Sequence, residues 1–215
     1  MKKTLVLYRS VYGYTKDYAE MIAEELGCGL REASRMSAGD LAPYDTLIFG
    51  GGLYASAING VNIIRDHFDL LQGKHIAVWA TGINAGSPEV MERVWRRNFP
   101  EKIRKNIRTF YLRGGFDYGN LSPLHKIMMT GLKWKIKASK NQSEEDAGLL
   151  KAYQRPENHC DRRNIAGLVT YVRSLSGITP ESSGPAGPGR TPEKSPPHST
   201  APTASFPPHP GKRLE

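Results

Sequence analysis

Cysteine is scarce in this chain, with two in 215 residues, Cys28 and Cys160. They stand far apart and fit neither a metal-ligand nor a C-x-x-C redox spacing, which excludes a zinc module and a disulfide scaffold. Two reduced thiols in a cytoplasmic protein are the plain expectation. Long apolar runs are missing too: nowhere do about eighteen apolar residues follow one another, so no segment is written to span a bilayer. Met1, Lys2 and Lys3 carry the charge of a signal-peptide n-region, but the apolar residues before Arg9 are too few for an h-region, and no signal peptide is expected. Two nucleotide signatures are also absent. No G-x-G-x-x-G follows the first apolar run and no G-K-[ST] occurs, which speaks against dinucleotide and P-loop readings. The six histidines (His67, His75, His125, His159, His198, His209) show no ligand spacing; surface or core roles are expected, and no metal site. No residue presents itself as a dedicated catalytic acid or base.

Hydrophobic residues make up 39% of the chain, and the shortfall lies at one end. Ten of the fifteen prolines fall within 176–215, where Ile178, Phe206 and Leu214 are the large apolar residues. Such a stretch buries too little surface to offset its ordering entropy, so it is expected to be a disordered Pro/Gly/Ser-rich tail on a working domain of residues 1–175. Charge is unevenly spread as well. Between Arg93 and Lys140 stand thirteen Lys or Arg against Glu101 and Asp117, a local balance of +11 in a chain of net +9. A focused basic face draws anionic partners, whether membrane, nucleic acid or acidic protein, and charge alone does not choose among them.

What is present alternates strands with helices. Residues 4–8 form a short apolar run of the kind found in buried parallel strands. Ala19, Ile22, Ala23 and Leu26 then repeat at helical spacing, with Asp17, Glu20, Glu24 and Glu25 on the wet side. A second strand is expected over 30–33 and a third over 46–49, stopped by Gly50, Gly51 and Gly52. Val61, Ile64, Phe68 and Leu71 predict one helix, and residues 75–80 a fourth strand. Ser87 and Pro88 supply an N-cap and first-turn proline for a helix through Val90, Val94 and Trp95. A fifth strand over 108–113 and a last helix through Ile165, Leu168, Val169, Val172 and Leu175, capped by Asp161, complete the domain. Five alternating strands imply a parallel sheet covered on both faces by right-handed crossovers. Two strand orders compete, and in the order 2-1-3-4-5 a ligand crevice opens where strands 1 and 3 lead away in opposite directions. That rule points at the loops beginning at Arg9 and Gly50.

The first loop runs Ser10, Val11, Tyr12, Gly13, Tyr14, Thr15, with a helix starting at once. A helix N-terminus with hydroxyls from Ser10 and Thr15, and a glycine that lets the backbone wrap, suits a phosphate without Lys or Arg; a plain capped turn fits the same residues. The second loop, 50–56, holds Gly52, Leu53 and Tyr54, whose ring offers a face for stacking or packs on its neighbours. The third, 81–86, begins Thr81, Gly82, Ile83, Asn84.

Here a resemblance becomes specific. The first loop resembles the FMN phosphate loop of flavodoxins, [T/S]-x-[T/S]-G-x-T: Ser10, Gly13 and Thr15 match, whereas Tyr12 and Arg9 are bulkier than the residues usual there. The resemblance covers residues 1–175 and implies a flavodoxin-like three-layer α/β sandwich with a five-stranded parallel sheet of order 2-1-3-4-5. It further implies one FMN, with the second and third loops at the flavin ring. Beyond strand 5 the pattern is similar to the flavodoxin-domain subfamily that includes menaquinone-dependent protoporphyrinogen oxidase, which inserts a basic helix there. Ser122 and Pro123 would open that helix; Leu124, Ile127, Met128 and Leu132 form one face, and Lys126, Lys133, Lys137 and Lys140 lie together elsewhere. Either the helix packs on the domain, or residues 122–140, with Trp134 and two methionines, grip a partner or lie on an anionic membrane at the inner face of the cell membrane. Three functions stay open: an FMN electron carrier or oxidoreductase, a protoporphyrinogen oxidase passing hydrogens to menaquinone, and a binding module without redox turnover. The implied partner is a redox protein or a quinone, not nucleic acid.

Overall fold

The computed structural model describes residues 3–138, 150, 153 and 155–175. The expected 176–215 tail, and Lys140, lie outside the described residues. Strands β1 (Thr4–Arg9), β2 (Gly29–Glu32), β3 (Thr46–Tyr54), β5 (His75–Gly82) and β6 (Ile107–Arg113) pair in parallel in the order β2-β1-β3-β5-β6. A two-residue strand, β4 (Ala57–Ile58), folds back antiparallel on the end of β3. Without that hairpin strand the order is the expected 2-1-3-4-5, and the fold is the flavodoxin-like α/β sandwich.

The near-continuous apolar runs follow from burial on both faces. Leu5 pairs with Leu47, Leu47 with Ile76, and Ile76 with Ile107, a row across four strands. Leu5, Leu7, Leu47, Phe49, Ile76 and Val78 face one core, shared with Met91, Val94 and Trp95 of α3 (Pro88–Asn98). The residues between them, Val6, Ile48, Ala77 and Trp79, face the other, shared with α1 (Tyr14–Leu26) and α6 (Ala166–Leu175). Tyr18 is fully buried there. Its hydroxyl lies 2.5 Å from the Arg113 carbonyl and 3.2 Å from that of His159, and accepts from Asn164 Nδ2 at 2.6 Å.

Two expectations need correction. Gly50, Gly51 and Gly52 do not stop the third strand; β3 continues to Tyr54. Gly50 pairs with Trp79 of the next strand, and a Cβ there would fall 1.9 Å from the indole, so the glycine makes room for a large aromatic. Nor is 61–71 one helix. Its four apolar residues are buried as predicted, but by one turn of α2 (Asn62–Arg65) and a separate 3-10 turn (Phe68–Leu71). Two short turns satisfy the same spacing.

After β6 the chain forms β7 (Gly115–Phe116), which pairs antiparallel with β8 (Glu157–Asn158), and then α5 (Pro123–Ala138). The short α4 (Glu101–Arg104) precedes β6. A third, small apolar cluster holds α5 down: Phe116 and Leu121 with Tyr12, Ile83, Tyr118, Met129 and Tyr153 around them. Among the described residues no helix is long and apolar enough to cross a membrane.

Candidate functional site

At the carboxyl ends of β1, β3 and β5 the sheet opens into a cleft of about 690 Å³, counted out to its solvent-open mouth. It lies where β1 and β3 leave in opposite directions, the place the strand order assigns to a ligand. Eleven of the thirteen residues picked out from the sequence line it: Ser10, Val11, Tyr12, Tyr14, Thr15, Gly52, Leu53, Tyr54, Thr81, Gly82 and Ile83. Gly13 and Asn84 stand behind that lining. Gly13 is the N-cap of α1 at φ 96°, a backbone shape that glycine adopts without strain. The Asn84 carbonyl accepts from the Tyr111 hydroxyl at 2.5 Å, and the Ile83 carbonyl from Arg113 Nε at 2.9 Å, which fixes the third loop.

The first loop arranges donors. Ser10 Oγ accepts from Gly13 N–H at 3.1 Å, holding the turn, while no side chain caps α1. The first N–H groups of a helix have no partner within it and carry partial positive charge. Thr15 is buried beside them. The two departures from the flavodoxin pattern also find their partners. Arg9 turns to β2 and pairs with Glu32 at 2.8 Å, while the Tyr12 phenol hydrogen-bonds His125 Nδ1 and lies 3.4 Å from the Ser122 N–H. Tyr12 thus ties the first loop to the start of α5.

Tyr54 is carried on the hairpin between β3 and β4, whose turn residues Ala55 and Ser56 take φ of 47° and 66°. Buried Asn98 holds that turn: its Oδ1 accepts from Ile58 N–H and its Nδ2 donates to the Ser56 carbonyl, each at 2.8 Å. Burial, with Tyr12 adding to it, pushes the Tyr54 phenol up to about 12, so it stays neutral. Thr81 supplies a further sign of a ligand. Its hydroxyl oxygen is buried with no hydrogen-bond partner among the described residues, and such groups are rarely left so. The lining includes no carboxylate, lysine or arginine. An anion bound here would meet no lysine or arginine side chain. No group of three or more His, Cys, Asp or Glu gathers to hold a metal among the described residues.

The second wall comes from a region the sequence reading described as a basic helix but did not assign to the site. Gly115, Phe116, Leu121, His125, Met128 and Met129 complete the cleft. The His125 ring stacks on Tyr54 with centroids 5.6 Å apart and planes at 15°. A third ring between them would need about 7 Å, two contact distances, so a flat ligand that uses this face of Tyr54 must take the imidazole's place. The sequence signal was the spacing of His125 and Met129 along α5, with Leu121 just before it, masked by the stronger apolar pattern on another face of the same helix. The residues fit a phosphate-bearing planar cofactor at the loop end, with α1 and Thr15, and at the ring end once Tyr54 is free.

Comparison with protein families agrees with this architecture. The flavodoxin domain family model matches residues 5–143. The chain belongs to that family. Among solved structures, it is similar to a WrbA-like flavodoxin from Agrobacterium tumefaciens (17% identity, 52% of this chain and 83% of that one, TM-score 0.36). It is similar also to two-electron reduced flavodoxin from Megasphaera elsdenii (16%, 50% and 82%, TM-score 0.39). A flavoprotein in complex with FMN from Lactobacillus acidophilus matches as well (19%, 53% and 93%, TM-score 0.34). Among curated proteins, none matches.

Proposed function

We propose that this chain binds one FMN in the cleft and uses it for electron transfer, as a carrier or as a flavin-dependent oxidoreductase. The observation that carries the reading is the company kept by one cleft at the switch point: an uncapped helix N-terminus, buried Thr15, and a Thr81 hydroxyl without a partner. The phosphate falls to Ser10, Gly13, Thr15 and the first N–H groups of α1, and the ring to Tyr54, Thr81, Gly82 and Ile83. A monophosphate suits this loop, and the chain has no pyrophosphate fingerprint, so FMN is favoured over FAD. The flavin supplies one- and two-electron chemistry; the protein binds it, orients it and excludes water from its polar edge.

Purified full-length protein should be yellow, and acid should release FMN. Titrating apoprotein with FMN, riboflavin and FAD tests the assignment of each end. If riboflavin binds as tightly as FMN, the phosphate site is misplaced; if none of the three binds, the reading fails. The electron partner is a redox protein or a quinone. The finer activity, oxidation of protoporphyrinogen with a menaquinone analogue, is assayed on the same preparation.

A further inference from the structure

Helix α5 shows solvent an apolar face. Leu124, Ile127 and Trp134 are 73%, 72% and 73% exposed, and Met128 47%. At 100° per residue these four and Gly131 fall within an arc of about 120°. The residues turned to the domain, His125, Met129 and buried Ile136, occupy a different arc. Of the seven large hydrophobic residues exposed among the described ones, five belong to this helix, whereas Val11 and Leu70 stand alone. Isolated exposed apolar residues need no explanation; a contiguous strip does.

The polar residues of α5 say what the strip faces. Pro123–Ala138 contains no carboxylate. Lys126, Lys133 and Lys137 lie together about 60–100° beyond the Trp134 edge of the strip, and Lys135 lies within it between Leu124 and Met128, where a long stem lets the ammonium snorkel. A second copy of this helix would bring lysines against lysines with no acid to pair them. The helix is also too short and too basic to cross a bilayer. An apolar strip, an interfacial tryptophan, flanking lysines and no acid are what a helix needs to lie in the headgroup layer. We infer that α5 is an interfacial helix that seats the protein on an anionic lipid surface through Leu124, Ile127, Met128 and Trp134. Met128 also borders the cleft, but Leu124, Ile127 and Trp134 do not, so the inference stands whatever fills it.

The test uses the full chain with vesicles of phosphatidylcholine, alone or mixed with phosphatidylglycerol. Co-sedimentation with the mixed vesicles at low salt, weakened by salt and much weaker on neutral vesicles, is expected. Trp79 and Trp95 are buried, so a blue shift of fluorescence on binding reports Trp134; Trp134→Phe should abolish the shift and keep most of the sedimentation. The double variant Leu124→Glu, Ile127→Glu changes only exposed side chains and should abolish binding while leaving the thermal midpoint alone. Lys135→Gln with Lys137→Gln should weaken it on the order of tenfold. No sedimentation at low salt overturns the inference, and so does equal binding to neutral vesicles. Vesicle binding that survives the double glutamate variant would assign it to general basic charge and overturns it too. Self-association that this variant removes, without vesicle binding, would give the face to a second copy instead.

Discussion

On one side of the cleft stand the ends of β1, β3 and β5, rooted in two cores where Leu5, Leu47, Phe49, Ile76 and Trp79 are almost fully buried. On the other stands α5, sixteen residues long, with Ile136 as its buried residue. The first wall is held by sheet hydrogen bonds and apolar packing. The second hangs on a few local ties: Tyr12 to His125, the Tyr118 hydroxyl to Thr130 at 2.8 Å, and the Tyr153 hydroxyl to the Met129 carbonyl at 2.5 Å. The contrast teaches that stability and access to the site reside in different parts of the molecule. Global stability should be lost through the sheet, and cleft behaviour changed through the helix.

The sharpest way to break that contrast is to remove one tryptophan from each wall. Trp79→Ala should cost about 3–5 kcal/mol in urea unfolding, the usual loss for a buried aromatic. Trp134→Ala should stay within about 0.5 kcal/mol, as exposed substitutions do. Equal effects would show that α5 is integrated into the core. Next in size is Gly13→Val. A Cβ there meets open space, so the penalty comes from the backbone at φ 96°, about 1–2 kcal/mol. FMN affinity measured by titration should fall at least tenfold, about 1.4 kcal/mol; unchanged affinity would remove the phosphate from this loop.

A pH series adds a signature from thiols on the sheet side. Burial pushes the Cys28 thiol up to about 11 from an ordinary 9.0, and does the same for Cys160, with Asp17 adding to it. The folded protein keeps these protons longer than the unfolded chain, so their contribution is complete below pH about 9 and is lost as pH rises through about 11. Urea midpoints followed across that window should fall, and Cys28→Ala should flatten the fall. A small stability effect is expected from His125→Ala, within about 1 kcal/mol, the worth of one aromatic contact. Its effect on the cleft should run the other way. With the imidazole gone from Tyr54, FMN should bind more tightly and associate faster; weaker binding would make His125 a wall of the ring site, not an occupant of its space.

Much of the sheet wall was legible because its signals are local. Runs such as Leu5 to Leu7 and Ile76 to Trp79 are strands on either reading of their faces, and Ser87 with Pro88 marks a helix start that the structure keeps, Ser87 Oγ accepting from Val90 N–H at 3.4 Å. The three glycines misled because their role is tertiary: nothing local reveals that the Trp79 ring lies against Gly50. For the same reason Thr81 could be placed at the cleft but its partnerless hydroxyl could not be foreseen. His125 escaped because α5 carries two competing patterns, and the stronger one, led by Leu124 and Ile127, faces away from the cleft. Leu124 and Ile127 are exposed, and the helix meets the domain through His125, Met129 and Ile136 instead.

The buried hydroxyl of Tyr18 sets an order of events during synthesis. Its helix begins at the first loop of the cleft, yet the phenol is satisfied by Arg113, His159 and Asn164, the last of these 146 positions further along. A nascent chain that has emerged as far as β6 already holds every strand of the parallel sheet. It still lacks two of the three partners of Tyr18, and α6, which covers the face of the sheet against which α1 packs. Contacts so distant in sequence are costly to close early. The loop at the head of α1 therefore takes its final setting only once residues 159–164 have followed it.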